Sequence, residues 1–296
     1  MSNKLEMGKI PSIMLDKYLS SLSCNDSSVI IEPRVGEDTA AVDVSNEEVI
    51  VMKSDPITFA SENIADYAIM VNANDIVTSG AVPRWLMTTV LLPDKTGTME
   101  VERILESIRD VCRRYCITLC GGHSEVTDAV TRPIICGALI GTVRKDKLID
   151  KRTMSEGDII LITKRIAVEG TSIIAMDFED RLKAGGVDEK IIHRSRQFIS
   201  SIDILKEAEI AAEIGGITGM HDVTEGGFAT AVRELAKAGG HSIKIDMDTV
   251  PVFEETKQVC SAVGVDPFGL IGSGSLLISC KLAVVGQLIE TLRENN

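Results

Sequence analysis

Four aspartates in this chain stand where a simple structural role explains a charge poorly. Asp38 falls in Gly36-Glu37-Asp38-Thr39-Ala40-Ala41-Val42, just ahead of a small-residue strand, and Asp55 follows the apolar run VIVMK in Ser54-Asp55-Pro56. Asp75 lies inside the helical stretch YAIMVNANDIVTSG, where Asn72, Asp75 and Ser79 share one face at i, i+3 and i+7. Asp222 sits in GMHDVTEGG, before a helix that starts near Gly227. Carboxylate oxygens are the hard ligands that Mg²⁺ takes, usually one or two of them with phosphate oxygens and water. Carboxylates at strand ends and on a helix face can converge on such an ion. Each also has a plainer reading as a turn or helix cap, strongest for Asp222, whose spacing to Glu225 is that of a capping box. A mid-helix Asp75 among Met, Val, Ile and Ala has no capping role.

Glycine supplies the second chemical signal. Gly121-Gly122-His123-Ser124-Glu125 follows a strand, Gly226-Gly227 opens a helix, and Gly272-Ser273-Gly274-Ser275 forms a third turn. Without a side chain, a backbone N–H can approach a phosphate, and a helix N-terminus favours the anion. Taken singly, each pair is also ordinary turn chemistry. His123 and His221 flank two of these segments. No G-x-x-x-x-G-K-[ST], no G-x-G-x-x-G after a strand and no protein-kinase signature occurs, which excludes an ordinary P-loop or dinucleotide fold.

The elements that must position these residues follow from hydrophobic spacing. Strands are predicted at 49–53, 86–92 and 134–143, with helices at 63–80 and 100–115. The second helix carries Val101, Ile104, Leu105, Ile108, Val111 and Cys112 on one face. The polar, turn-rich DKRTMSEGD marks a change of unit, dividing the chain into domains 1–150 and 151–296. The second domain is predicted to hold strands at 159–163, 241–245 and 275–279. Its helices fall at 197–214, at 227–238 and from 281 onward. Strands and helices at irregular intervals indicate an α+β fold rather than a regular βαβ repeat.

Composition bounds the function. Of 296 residues 44% are hydrophobic but only 3% aromatic, so the cores are aliphatic and few rings are left to stack bases. A formal net charge of −13 argues against a nucleic-acid partner. No apolar run reaches the roughly 18 residues of a membrane span, and the charged N-terminus lacks the apolar block of a signal peptide. The seven cysteines include no C-x-x-C pair, and Cys112, Cys116 and Cys120 are divided between a helix and the next strand. They read as buried free thiols in a reducing compartment, which makes a cytoplasmic location the expectation.

Taken in order, the motifs resemble the superfamily of aminoimidazole ribonucleotide (AIR) synthase. Thiamine-monophosphate kinase, selenophosphate synthetase and the hydrogenase maturation factor HypE belong to it too. The matching pieces are GEDTAAV, SDP, VNANDIVTSGAVP, GGHSEVT, GMHDVTEGG and DPFGLIGSGSLLI, spread over nearly the whole chain. The resemblance implies a two-domain fold: an N-terminal sheet that joins a second copy in a homodimer, and a C-terminal α+β sandwich. It implies ATP and Mg²⁺ as cofactors, with Asp38, Asp55 and Asp75 as metal ligands and Gly36, Asn74, Gly121, Gly122, Thr224, Gly226 and Gly227 on the nucleotide. Asp222, His123 and Glu125 are the implied catalytic residues. The implied reaction moves the ATP γ-phosphate to an oxygen of a small carbonyl or phosphate-bearing substrate. Two alternatives stay open. One is a HypE-type protein, acting with a hydrogenase-maturation partner. The other is a nucleotide-binding protein without turnover. GMHDVTEGG looks most like the HypE group, yet HypE carries its substrate on a C-terminal cysteine, whereas here Leu292 to Asn296 holds none. The last cysteine, Cys280, lies in an apolar strand pattern, and Cys24 lies in a stretch that matches none of the motifs. The accompanying expectation is that these residues alone will not dehydrate a carbamoylated cysteine.

Overall fold

Long apolar runs with period-two burial build the first half around one sheet. The computed structural model describes residues 28–32, 34–44, 47–58 and 63–295, together with 13 and 16; Cys24 lies outside them. Six strands, β1 (Val29–Ile31), β2 (Ala40–Asp43), β3 (Glu48–Ile57), β4 (Val82–Pro93), β5 (Thr118–Thr127) and β6 (Ile134–Arg144), lie in the order β1-β2-β3-β6-β4-β5. All neighbours are antiparallel except β4 and β5, whose parallel pairing needs a crossover. Helix α2 (Thr98–Arg114) supplies it, burying Ile104, Ile108, Val111 and Cys112 along the predicted face.

Helix α1 (Ile64–Thr78) packs on the same sheet face, against β3, β6 and α2. Every residue in it except Asp66 and Val71 is buried. A helix that is covered all round needs partners on both sides. Its second partner is the other half of the chain, where it meets β8 (Ile217–Asp222) and α6 (Leu205–Ile214).

The second half has a three-stranded antiparallel sheet in the order β7 (Ile159–Ile162), β9 (Leu276–Cys280), β8. Strand alternation feeds two cores. Leu276, Ile278 and Cys280 pack with α6 and α9 (Val285–Glu294), while Leu277 faces Phe228, Ala231 and Leu235 of α7 (Gly227–Gly239). Helices α3 (Val168–Asp177), α4 (Glu179–Ala184), α5 (Glu189–Arg196) and α8 (Glu254–Val263) share a further small core.

Several expectations are corrected. GGHSEVT is no loop: it is most of β5 itself, paired to β4 along its length. The helix predicted over 197–214 is a 3₁₀ turn, Gln197–Ser201, followed by α6. The stretch 241–245 is not a strand: Ile243 and Ile245 alternate onto a core, but no described strand pairs with them. Strand β8 and helices α3, α4, α5 and α8 are absent from the prediction. The cysteines are not uniformly buried: Cys112, Cys260 and Cys280 are, whereas Cys116 and Cys120 are exposed. No described helix is long and apolar enough to cross a membrane.

Candidate functional site

Strand β3 delivers two charges to the face that α1 covers. Lys53 and Asp55 are two residues apart, so both project on the same side as the buried Val49 and Val51. From α1, Asp75 comes down to meet them: Lys53 Nζ lies 3.0 Å from Asp75 Oδ2 and 3.1 Å from Asp55 Oδ2. One turn earlier, Asn72 fixes the strand. Its Oδ1 accepts from the Asp55 amide at 3.0 Å, while its Nδ2 donates to the Ala68 carbonyl at 2.8 Å.

The loop between β1 and β2 brings Asp38 in from the side. Gly36, at φ +94°, lets this loop lie against α7, since a Cβ there would sit 2.4 Å from the Glu234 carbonyl oxygen. Its own carbonyl accepts from Lys151 Nζ at 3.0 Å, and the same ammonium donates to Asp38 Oδ2 at 2.6 Å. The other Asp38 oxygen is 2.9 Å from His221 Nδ1. His221 and Asp222 end β8, both buried, and the imidazole Nε2 lies 3.5 Å from Glu234 Oε2. Asp222 is 1% exposed, yet no described residue donates a hydrogen bond to either of its oxygens; its ion pair with His221 is long, at 3.7 Å.

Four carboxylates, Asp38, Asp55, Asp75 and Asp222, thus share one space with three cationic partners, Lys53, Lys151 and His221. Burial pushes the Asp75 carboxyl well above the usual range; Lys53 opposes this, and the charges of Asp222, Asp38 and Asp55 add to it. Burial also works against an ionised Asp38, but His221 and Lys151 outweigh it and hold that carboxyl low. For His221 the desolvation penalty is overcome mainly by Asp38, and its pKa is pushed up to about 10. Lys53 is likewise raised, with Asp75 and Asp55 outweighing burial. An excess of buried carboxylate, with one member given no hydrogen bond by any described residue, is costly unless a further cation joins it. Oxygen donors of this kind fit a hard divalent ion, so the residues present suit Mg²⁺.

The remaining sequence candidates are placed differently. Asn74 is fully buried and its amide is spent on backbone: Nδ2 donates to the Ile202 carbonyl at 2.8 Å and Oδ1 accepts from the Ile204 amide at 3.0 Å. With both ends hydrogen-bonded to backbone, it ties α1 to the segment before α6. Gly226 and Gly227 do open α7 with positive φ, but a Cβ on Gly227 would lie 2.6 Å from the Leu270 carbonyl oxygen. Two of the turn's donors are already used: the Gly227 amide on the Thr224 carbonyl and the Ala229 amide on the Phe268 carbonyl, both at 3.0 Å. In the third glycine turn the Ser273 amide donates to the buried Glu169 at 3.1 Å.

His123 and Glu125 are not brought to the cluster. Cross-strand partners share a face, and the row His123–Thr89–Cys136–Pro56 is offset by one residue from Asp55. Both side chains therefore point to the opposite side of the sheet, on the edge strand beside Gly121 and Gly122. They are exposed and 3.1 Å from each other.

Sequence reading left Lys53, Lys151, His221 and Glu234 out of the site. Lys53 had a signal, a lysine two residues before Asp55 in an apolar strand. His221 adjoined Asp222. Lys151 sits in a polar turn and Glu234 on an amphipathic helix, and neither stands out from such surroundings.

Residues 36–143 match the family model for the N-terminal domain of AIR synthase related proteins, and residues 155–296 match that for the C-terminal domain. A hydrogenase expression/formation protein of Methanocaldococcus jannaschii is 27% identical over 267 residues, 88% of this chain and 76% of that protein. The carbamoyl dehydratase HypE of Escherichia coli is 25% identical over 243 residues, 81% and 69% of the two chains. Among solved structures, a HypE–HypF complex superposes with a TM-score of 0.75 at 19% identity, covering 96% of this chain and 89% of that one. A HypE structure in complex with ATP gives 0.69 at 23% identity, covering 94% and 81%.

Proposed function

Because this chain belongs to the AIR synthase related family, we propose that it is an ATP-dependent enzyme of the hydrogenase-maturation type, which removes oxygen from a carbamoyl group. The observation that carries this is the convergence of Asp38, Asp55, Asp75 and Asp222, with the Asp222 carboxylate buried and given no hydrogen bond by any described residue. Relatives with hydrogenase-formation and carbamoyl-dehydratase names favour this over the first expectation of a free small metabolite.

In this reading Asp38, Asp55, Asp75 and Asp222 would hold Mg²⁺, which would supply the positive charge that γ-phosphoryl transfer requires. The carbamoyl oxygen attacks γ-phosphorus and ADP leaves. Two N–H protons and the phosphorylated oxygen then depart, leaving a nitrile and inorganic phosphate. Lys53 and Lys151 hold the carboxylates in place, and Asn72 keeps Asp55 aimed. Asp222 is the assigned catalytic residue. For His123 and Glu125 a place on a dimer surface is the better-supported role. Cys280 is buried in β9, and burial raises its thiol, so it is a poor carrier of the carbamoyl group. A thiol outside the buried strands, or one on a hydrogenase-maturation partner, is the assigned carrier.

The proposed homodimer uses the face of the first sheet opposite α1, on which no described element packs. Met52, Ile140 and Trp85 form one outward cross-strand row, and Met87 extends it, with Met52 and Met87 exposed. Strand β5 is exposed from Thr118 to Val126. An apolar sheet face beside an open edge is a surface a second copy can cover.

The test is turnover. Mg²⁺-ATP hydrolysis should rise on adding an S-carbamoylated thiol protein from the maturation pathway, with the nitrile appearing by mass spectrometry and infrared absorption. Hydrolysis that responds to a free amide metabolite and to no thiocarbamate would return the function to the small-metabolite reading. No hydrolysis with any acceptor would leave nucleotide binding without turnover.

A further inference from the structure

The cation cluster contains one donor that a purely hard-oxygen site does not use. His221 Nδ1 is aimed between two carboxylates, 2.9 Å from Asp38 Oδ1 and 3.7 Å from Asp222 Oδ1. The three donor atoms lie within 4.8 Å of one another. Neighbouring ligands of an octahedral ion stand about 3 Å apart when each bond is about 2.1 Å long. The first distance already matches that, and the second needs a small side-chain adjustment. Both Asp222 oxygens are buried without a hydrogen bond from any described residue, which leaves them as donors for a cation. Lys151 holds the other Asp38 oxygen, so Oδ1 is the one that faces inward.

The far side of the ring supports the same assignment. His221 Nε2 lies 3.5 Å from Glu234 Oε2 on α7. A carboxylate behind a histidine that fixes ring orientation and tautomer is the usual outer support of a metal-binding imidazole. Gly36 allows this closeness, since its missing side chain lets the Asp38 loop pack on the turn of α7 that carries Glu234.

We infer that Asp38 Oδ1, His221 Nδ1 and Asp222 form a mixed nitrogen–oxygen site that prefers a first-row transition ion such as Mn²⁺ or Zn²⁺ over Mg²⁺. Imidazole suits ions later in the stability order, while Mg²⁺ is bound almost wholly through oxygen. Coordination replaces the proton between His221 and Asp38, and that proton leaves to solvent. The inference rests on the reading of these acids as a metal site, and adds to it the identity of the ion.

The experiment uses the whole chain without nucleotide, titrated with Mn²⁺, Zn²⁺ or Mg²⁺ alone. Wild type should bind Mn²⁺ at least tenfold more tightly than Mg²⁺. His221→Gln should lose tenfold or more for Mn²⁺ and less than threefold for Mg²⁺. Pulsed electron paramagnetic resonance of wild type with Mn²⁺ should show coupling to an imidazole nitrogen. This measurement needs no variant, so it decides the matter even if His221→Gln fails to fold. Binding of both ions with no nitrogen coupling overturns the inference and leaves the Mg²⁺-ATP reading standing. Binding of none of the three ions overturns both.

Discussion

Replacing Asn74 with alanine should cost stability and leave nucleotide binding intact, the opposite of what its motif position suggests. The amide makes two buried hydrogen bonds to backbone groups about 130 positions away, at Ile202 and Ile204. Truncation strands the Ile202 carbonyl and the Ile204 amide in a buried setting. Each unpaired group costs about 1–3 kcal/mol, so the pair amounts to roughly 2–6 kcal/mol. With a shift of about 2–4 °C per kcal/mol for a chain of this order of size, the melting temperature should fall by roughly 4–24 °C. Asn74→Asp is informative beside it. It keeps an acceptor for the Ile204 amide but sets a carboxylate oxygen against the Ile202 carbonyl, so it should be at least as damaging. Differential scanning fluorimetry reads the stability, and calorimetric titration of Mg²⁺-ATP well below the transition reads the affinity, expected to change by less than threefold. A variant that melts like wild type but loses ATP affinity would refute the reasoning and restore Asn74 to the nucleotide site.

The other predictions test the cluster and the surfaces. Asp75→Asn keeps the shape but removes a hard anionic ligand, so Mg²⁺-ATP affinity by calorimetry should fall about tenfold or more. Unchanged affinity in the Asp38, Asp55 and Asp75 variants alike would dismiss the metal site. Light scattering at micromolar concentration should give twice the 31.9 kDa chain mass, with Met87→Glu shifting it towards the monomer; a monomeric wild type would rule out the sheet-face dimer. Gly122→Ala would put a Cβ 1.9 Å from the Thr88 carbonyl oxygen, so hydrogen exchange should accelerate along β5 without loss of the second half of the fold. Burial raises the Glu169 carboxyl, and the charges of Asp222 and Glu225 add to that. Ionising it therefore opposes folding: its favourable contribution is full below pH about 4.5 and is lost as pH rises through the folded value. Glu169→Gln keeps an acceptor for the Ser273 amide and should melt higher than wild type at pH 8, with the gain shrinking as pH falls towards 4.5. A gain that does not change with pH would mean charge is not the cause.

The family, the two-part α+β organisation and three of the clustered acids were legible in the sequence because they are local. Asp55 follows an apolar run, Asp75 puts a charge in a buried helix, and Asp38 follows a glycine turn, and each anomaly is visible within ten residues. The long central strands and the amphipathic α2 were legible for the same reason: burial on one face imprints a period. What the sequence could not determine depends on the other end of a contact. Asn74 looks the same whether its amide meets a nucleotide or the backbone of Ile202 and Ile204. Gly226-Gly227 reads as a phosphate turn until the carbonyls of Phe268 and Leu270 are seen against it. GGHSEVT has the composition of a loop, and only its pairing with β4 makes it a strand and turns His123 to the far face. Lys151 and Glu234 carry no local signal, since a lysine in a turn and a glutamate on a helix are commonplace. Tertiary packing alone removes them from water, places them around Asp38 and His221, and gives their charges a purpose.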